Sequence, residues 1–274
     1  MGGVGGVGAE RGDDDEAGRA PGLAQLLLAL QFTDSSFPSG MYTLSHGLEG
    51  LRQQGAVDSG SLPEVLHGIL RHSAGPADAT ALALAWAATR EHGPGGGGSE
   101  QGDVGPADPE QGSADHDSLL SALTRIDQRL HATRLAREFR DGATRTGKQV
   151  LDLAAELLED PVVSVWNAHV RARRTPGSQS VVMGVVYARG GLAQRDAVAA
   201  DLTALVVSLA GASLRLRLSD HRSAQALVRG AAPVIAEVAD AAVSRSLEEL
   251  GGFAPMLDLA SCHHERADAR LFAS

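Results

Sequence analysis

Apolar residues recur along most of the chain at the three- and four-residue spacing of helices. Leu23, Leu26, Leu27 and Leu30 share one face of a helix predicted over 23–32. Residues 33–40 break that rhythm with Asp34, two serines, Pro38, Ser39 and Gly40. Tyr42, Leu44, Leu48 and Leu51 then resume it and predict a helix over 42–54. Further helices are predicted over 61–73, 77–91, 118–140, 143–159, 162–173, 180–188, 193–213, 221–229, 232–250 and 254–265. The runs Val162–Trp166 and Val181–Tyr187 are too short for periodicity to separate a strand from a buried helix. No hairpin turn flanks them, and both are read as helical. The longest apolar span, Ala197–Leu218, is interrupted by Asp201, Arg215 and Arg217, so it reads as a buried helix and not as a membrane crossing. Nothing in the pattern demands a sheet. The expectation is an all-α, single-domain bundle of about ten helices.

Two stretches lack this patterning, and they hold most of the charge. The chain has 274 residues and a formal net charge of −10. Residues 1–22 contain eight Gly, five acidic residues and two Arg, and residues 93–117 contain eight Gly, three Pro, six acidic residues and no Lys or Arg. They contribute −3 and −6, which leaves −1 for the rest. With so few apolar side chains to offset the entropy of ordering, they read as a disordered leader and a disordered acidic loop within a domain over 23–274. The leader has no basic segment followed by an apolar one, so it does not read as a secretory signal, and its acidic character excludes a transit peptide. A single cysteine, Cys262, rules out an intramolecular disulfide framework and a cysteine zinc cluster, which points to a cytoplasmic chain. The acidic balance argues against non-specific nucleic-acid binding.

Candidate chemistry is incomplete wherever it surfaces. Gly142–Gln149 (GATRTGKQ) nearly matches the phosphate-binding loop GxxxxGK[ST] and would make a nucleotide hydrolase. However, Gln149 stands where a hydroxyl must hold magnesium, and 133–140 before it has helical, not strand, spacing. The bland alternative is a helix with small residues, Ala143 and Gly147, that admits a close neighbour. HERAD (His264–Asp268) approaches the HExxH zinc signature with Asp in place of the second His, and no third ligand is specified. Cys262, His263 and His264 together could suit nickel, copper or zinc and so make a direct nickel carrier, against the plainer reading of a polar helix end. Arg171, Arg173 and Arg174 read as a solvated helix end, and the remaining histidines are scattered singly. No catalytic constellation is complete, which shifts weight toward a binding role.

Residues 34–49, DSSFPSGMYTLSHGLE, are more specific than a turn. Asp34, Phe37, Pro38, Gly40, Tyr42, Ser45, Gly47, Leu48 and Glu49 occur in the order of the signature of the urease accessory protein UreF family, which the segment resembles. Three other regions are similar to the same family. Arg140–Leu151 matches a family helix, with Ala143 in place of a serine. Ser208–Val228 keeps Arg215, Leu216 and Gln225 but departs at Leu218, Asp220 and His221. Pro255–Ser274 carries Pro255, Asp258, His264, Glu265, Arg270, Leu271, Phe272 and Ser274 in family positions. The resemblance covers nearly all of 23–274.

It implies a non-catalytic, all-α chaperone of urease maturation that binds UreD/UreH, recruits and regulates the GTPase UreG, and supports GTP-dependent nickel insertion into apo-urease. It further implies a homodimer within that complex, with no stably bound cofactor, nickel being handled by the assembly, and with neither nucleic acid nor membrane as a partner. The implied partner-binding residues are Pro38, Gly40, Tyr42, Ser45, Glu49, Arg140, Lys148, Arg215, His264, Glu265, Arg270, Leu271 and Phe272. The ending ARLFAS, with an Arg, a Leu and a Phe on an otherwise unburied terminus, has the composition of an interface anchor.

Overall fold

The computed structural model describes residues 22–92 and 109–273. The predicted leader, apart from Gly22, and residues 93–108 of the acidic loop lie outside the described residues. Every regular element among them is helical. They are α1 (Leu23–Thr33), a 3-10 turn (Met41–Thr43), α2 (Leu48–Gln53), α3 (Leu62–Ile69), a π-helical segment (Leu70–Ala79), α4 (Thr80–His92), α5 (Pro109–Thr133), α6 (Arg137–Leu158), α7 (Pro161–Arg171), α8 (Gln179–Arg189), α9 (Gln194–Arg215), α10 (His221–Ser244) and α11 (Pro255–His264). The all-α bundle expected from periodicity is the observed architecture.

Helix α8 lies at its centre. Residues Ser180–Ala188 are all buried, so this helix is apolar all round, as a helix enclosed by others must be. It packs most extensively on α4. Gly184 makes that approach possible, because a Cβ there would lie 2.5 Å from the Leu82 carbonyl oxygen. α9 is long and apolar enough to cross a membrane, but half of its apolar window is buried inside the bundle, where it pairs with α10. The two short apolar runs are the cores of α7 and α8. Asp160 caps α7 by accepting from Val162 N and Val163 N, and Pro161 fits the first turn, where its missing N–H costs nothing.

The structure corrects five boundaries. The helix predicted over 42–54 is two pieces, because His46 (φ 52°) and Gly47 (φ 84°) adopt left-handed backbone that no α-helix accommodates. The helices predicted over 61–73 and 77–91 are one continuous rod, α3 through α4. Pro76 sits inside its π-helical middle, where the wider register absorbs the missing N–H. The break placed after Arg140 falls instead at 134–136, where the Arg140 guanidinium donates to the carbonyls of Arg134 and Leu135 at 2.6 and 2.8 Å. The helices predicted over 221–229 and 232–250 are the single α10. Pro233 lies on its exposed side, where the lost hydrogen bond faces water, and the helix stops at Ser244. Finally, α5 begins at Pro109, so 109–117 is helical rather than part of a loop.

Candidate functional site: a buried clamp on the C-terminal tail

The signature segment and the chain's end meet at one place. Left-handed Gly40 and Gly47 turn the chain so that α2 starts at Leu48 and points Glu49 inward from its first turn. α11 then lies directly on α2. A Cβ at Gly50 would be 2.5 Å from the Ala260 carbonyl oxygen, and one at Gly47 would be 2.5 Å from a Leu257 methyl carbon. That close approach aims His264, at the end of α11, at Glu49 on α2 and at Glu138 in the first turn of α6.

Both ring nitrogens of His264 are used. Nε2 lies 2.9 Å from Glu49 Oε2 and Nδ1 lies 2.8 Å from Glu138 Oε2. Glu49 also accepts from the backbone N–H groups of Leu271 and Phe272, each at 2.9 Å. Glu138 accepts from Arg270 Nη1 at 2.9 Å, and its own N–H donates to Glu265 Oε1 at 3.2 Å. Glu49, Glu138 and His264 are all buried. Two carboxyl groups facing the two imidazole nitrogens need one hydrogen in each contact, and Arg270 brings a positive charge to Glu138. Buried ions persist only when paired and hydrogen-bonded, and each member here is both.

The tail beyond the clamp is held as well. Ala273 N donates to Thr43 O at 2.9 Å, and the Arg215 guanidinium sits 4.4 Å over the Phe272 ring while donating to Tyr42 O at 2.6 Å. The expectation of an unburied terminus is therefore corrected at Phe272, which is 5% exposed because Glu49 captures its N–H and Arg215 covers its ring. Leu271, at 62%, faces solvent, and so do Phe253, Met256 and Leu259 from α11 and the residues before it.

Of the residues singled out in the sequence, Tyr42, Glu49, Arg215, His264, Glu265, Arg270, Leu271 and Phe272 converge at this clamp, and Ser45 adjoins it by accepting from Glu49 N at 3.3 Å. Pro38 is exposed in the turn after α1, and Gly40 supplies the bend. Arg140 and Lys148 do not join it. Arg140 closes the end of α5, and Lys148 borders a shallow groove on the outer face of α6 with His131, Arg145 and Pro176. Glu138 is a member that the motifs do not single out, although it carries a legible signal: it occupies the register of Gly142, Thr146 and Val150, the buried face of α6. Asp127 has the same character. Buried on α5, it accepts from Thr175 Oγ1, Gly177 N and Ser178 N and so pins the turn into α8.

The alternative chemistries lose their geometry. Gly142–Gln149 lies within α6 rather than in a loop after a strand. Its Gly147 is small because a Cβ there would overlap the Gly177 carbonyl oxygen in the turn before α8. Cys262 and His263 point outward while His264 points into the clamp, and α11 ends before Asp268. Among the described residues no group of three His, Cys, Asp or Glu side chains could hold a metal ion.

Beside the clamp lies a cavity of about 130 Å³ lined by His46, Asp78, Arg134, Glu138, Ser180 and Asp201, among others. Asp78 pairs with Arg134 and accepts from Ser180 Oγ at 2.8 Å. Burial, with Asp78 adding like-charge repulsion, pushes the Asp201 carboxyl up to about 7. Burial holds His46 down to about 4, and its Nε2 lies 3.0 Å from Ser208 Oγ.

Comparison with known proteins agrees with the signature. The UreF family model matches residues 56–232. The chain is 28% identical over 255 residues to the urease accessory protein UreF of Trichodesmium erythraeum, covering 92% of this chain and 98% of that protein. It is 29% identical over 257 residues to urease accessory protein UreF 2 of Brucella canis, covering 92% of each. To the urease accessory protein UreF of Yersinia pestis it is 25% identical over 252 residues, covering 92% of this chain and 99% of that one. With the family model spanning more than half of the chain and the signature residues gathered around the clamp, the chain belongs to the urease accessory protein UreF family.

Proposed function

We propose that this protein is a non-catalytic scaffold in urease maturation, acting in the cytoplasm. Its C-terminal face docks on UreD/UreH, the assembly recruits and regulates the GTPase UreG, and nickel enters apo-urease as GTP is hydrolysed. The chain holds no cofactor of its own in this reading, and a homodimer forms within the complex. The observation that carries the proposal is the clamp. Family-signature residues from 42–49 and from 264–272, more than two hundred positions apart, spend buried charge on fixing a short tail. Backbone N–H groups, a guanidinium and an imidazole are all committed to giving Arg270–Ala273 one shape, while Leu271 and the α11 side chains Met256 and Leu259 stay outside. A fixed tail with apolar groups turned to solvent is a pre-organised docking surface, which lowers the ordering cost of association. Neither the nucleotide-hydrolase nor the nickel-carrier reading has an observation in its favour.

The test is capture of purified UreD/UreH by the full chain, followed by UreG with and without GTP. Deletion of Arg270–Ser274 is expected to abolish UreD/UreH capture while the remaining chain keeps its helical circular dichroism. Capture at full yield after that deletion would overturn the tail assignment. GTP turnover by the isolated wild-type chain, lost in Lys148→Ala, would return the hydrolase reading.

A further inference from the structure

A groove of about 400 Å³ runs along the outer face of α6, between that helix, the end of α5 and the turn at Pro176. Asp141, Thr144, Arg145 and Lys148 line it at the three- and four-residue spacing of one helix face. Arg145 and Lys148 are exposed, and Asp141 is the single carboxylate among the lining residues. His131 enters from α5. Burial, with the Arg140 charge adding to it, holds its imidazole below the ordinary range, so the ring is neutral at pH 7 and has one N–H to offer. His131 Nδ1 and Thr144 Oγ1 find no hydrogen-bond partner among the described residues.

This groove is continuous with the clamped tail. Arg145 Nη2 donates to Thr43 Oγ1 at 3.3 Å, and the carbonyl of the same threonine accepts from Ala273 N at 2.9 Å. A protein seated on Leu271 and the tail therefore has the Arg145 end of the groove beside it. A nucleotide or free anion is a poor occupant. Small-ligand sites enclose their ligand, and this groove is shallow. The backbone N–H groups of 142–148, which a phosphate loop would turn toward its ligand, are spent inside α6. Carboxylate side chains along a chain segment are the better match, because guanidinium and ammonium groups both give them charge-assisted hydrogen bonds.

We propose that the groove receives an acidic segment of the protein that docks on the tail, with Arg145 and Lys148 as the cations that meet its carboxylates. The proposal rests on the docking of UreD/UreH in the reading above. Charges at the edge of an interface act chiefly on the association rate and its salt dependence. The test therefore measures association and dissociation of the full chain on immobilised UreD/UreH at low and high salt. Arg145→Glu/Lys148→Glu is expected to associate about tenfold more slowly at low salt, to lose most of the salt dependence, and to dissociate within about twofold of wild type. Arg145→Lys/Lys148→Arg is expected to keep the wild-type rate, and Asp141→Asn to exceed it. Arg125→Glu/Arg229→Glu makes an equal change of charge on exposed positions of α5 and α10, and is expected to stay within about twofold of wild type. No capture by wild type would overturn the docking reading together with the proposal. Capture by wild type with association unchanged in Arg145→Glu/Lys148→Glu, or with dissociation alone accelerated, would overturn the groove assignment by itself. Equal slowing by the Arg125 and Arg229 pair would overturn it too, because net charge would then set the rate. So would slower UreG recruitment with UreD/UreH association intact, which would give the groove to a different protein. Should the charge-reversed variant fail to fold, Asp141→Asn decides the matter, and association no faster than that of wild type would overturn the assignment.

Discussion

His264 serves two buried carboxyl groups at once, so its removal takes a hydrogen-bond partner from both Glu49 and Glu138. Glu138 would keep Arg270, but Glu49 would keep only the backbone donors of Leu271 and Phe272. Breaking a buried ion pair by deleting one partner typically costs about 3–5 kcal/mol, most of it the penalty of the charge left behind. His264→Ala is therefore expected to lower unfolding stability in urea by about 3 kcal/mol. The test of mechanism is the triple variant Glu49→Gln/Glu138→Gln/His264→Ala, which removes the orphaned charges and is expected to recover part of the loss. If the triple variant is less stable by the sum of its parts, charge balance is not what holds this cluster together.

Between α2 and α11 the controlling feature is the absence of a side chain. Gly50 lets the α11 backbone come so close that an added Cβ would overlap the Ala260 carbonyl oxygen at 2.5 Å. Gly50→Ala must push α11 outward, with an overpacking cost of about 1–3 kcal/mol. Because α11 carries His264, the displacement should also loosen the tail. Limited proteolysis is expected to release the C-terminal residues from Gly50→Ala well before they leave wild type, and equal release rates would contradict the coupling. Much of this architecture is legible in the sequence, because amphipathic faces and caps are local properties. The positions of α1, α7, α8, α9 and α11 follow from spacing to within two residues. The departures elsewhere share a cause, which is that a proline or glycine signals a break only in surroundings that the sequence does not display. Pro233 interrupts nothing because its side of α10 is wet, and Pro76 is absorbed by π-helical geometry whose freed carbonyls Pro76 O and His72 O accept from Gly251 N and Phe253 N. At the site, residue types in the signature reveal Glu49, His264 and Arg270 but not that they touch. That contact depends on α11 crossing α2 some two hundred residues later in the chain, information that no local pattern contains. Glu138 stands in view on the apolar face of α6, yet a lone carboxylate there reads as solvated until its partners are known.

Across the whole protein, the cavity beside the clamp links stability to pH through two groups with opposite signs. His46 is held down to about 4 in the fold, against 6.5 for a free imidazole. Between these values the unfolded chain binds the extra proton, so the His46 contribution is complete above 6.5 and is lost as pH falls toward 4. Asp201 runs the other way. Its carboxyl is raised to about 7 from 3.8, so the folded chain holds the proton, and this contribution is complete below 3.8 and lost as pH rises through 7. Between 4 and 6.5 the two slopes nearly cancel, and above 6.5 Asp201 alone of the two continues to act, charging beside Asp78, which already has its counter-ion in Arg134. Asp201→Asn keeps an oxygen for the bond from Gln179 Nε2 and removes the charge. It is expected to raise unfolding stability at pH 8 by about 2 kcal/mol or more and to leave it unchanged near pH 4, since a tenfold difference in proton affinity between the folded and unfolded chains is worth about 1.4 kcal/mol. His46→Gln should do the reverse, protecting the fold at about pH 4.5 with little effect at about pH 8. Chemical denaturation of the two variants across about pH 4–8 separates these contributions. Parallel curves for Asp201→Asn and wild type over that range would mean that Asp201 is already ionised in the fold and that the cavity is open enough to solvate it.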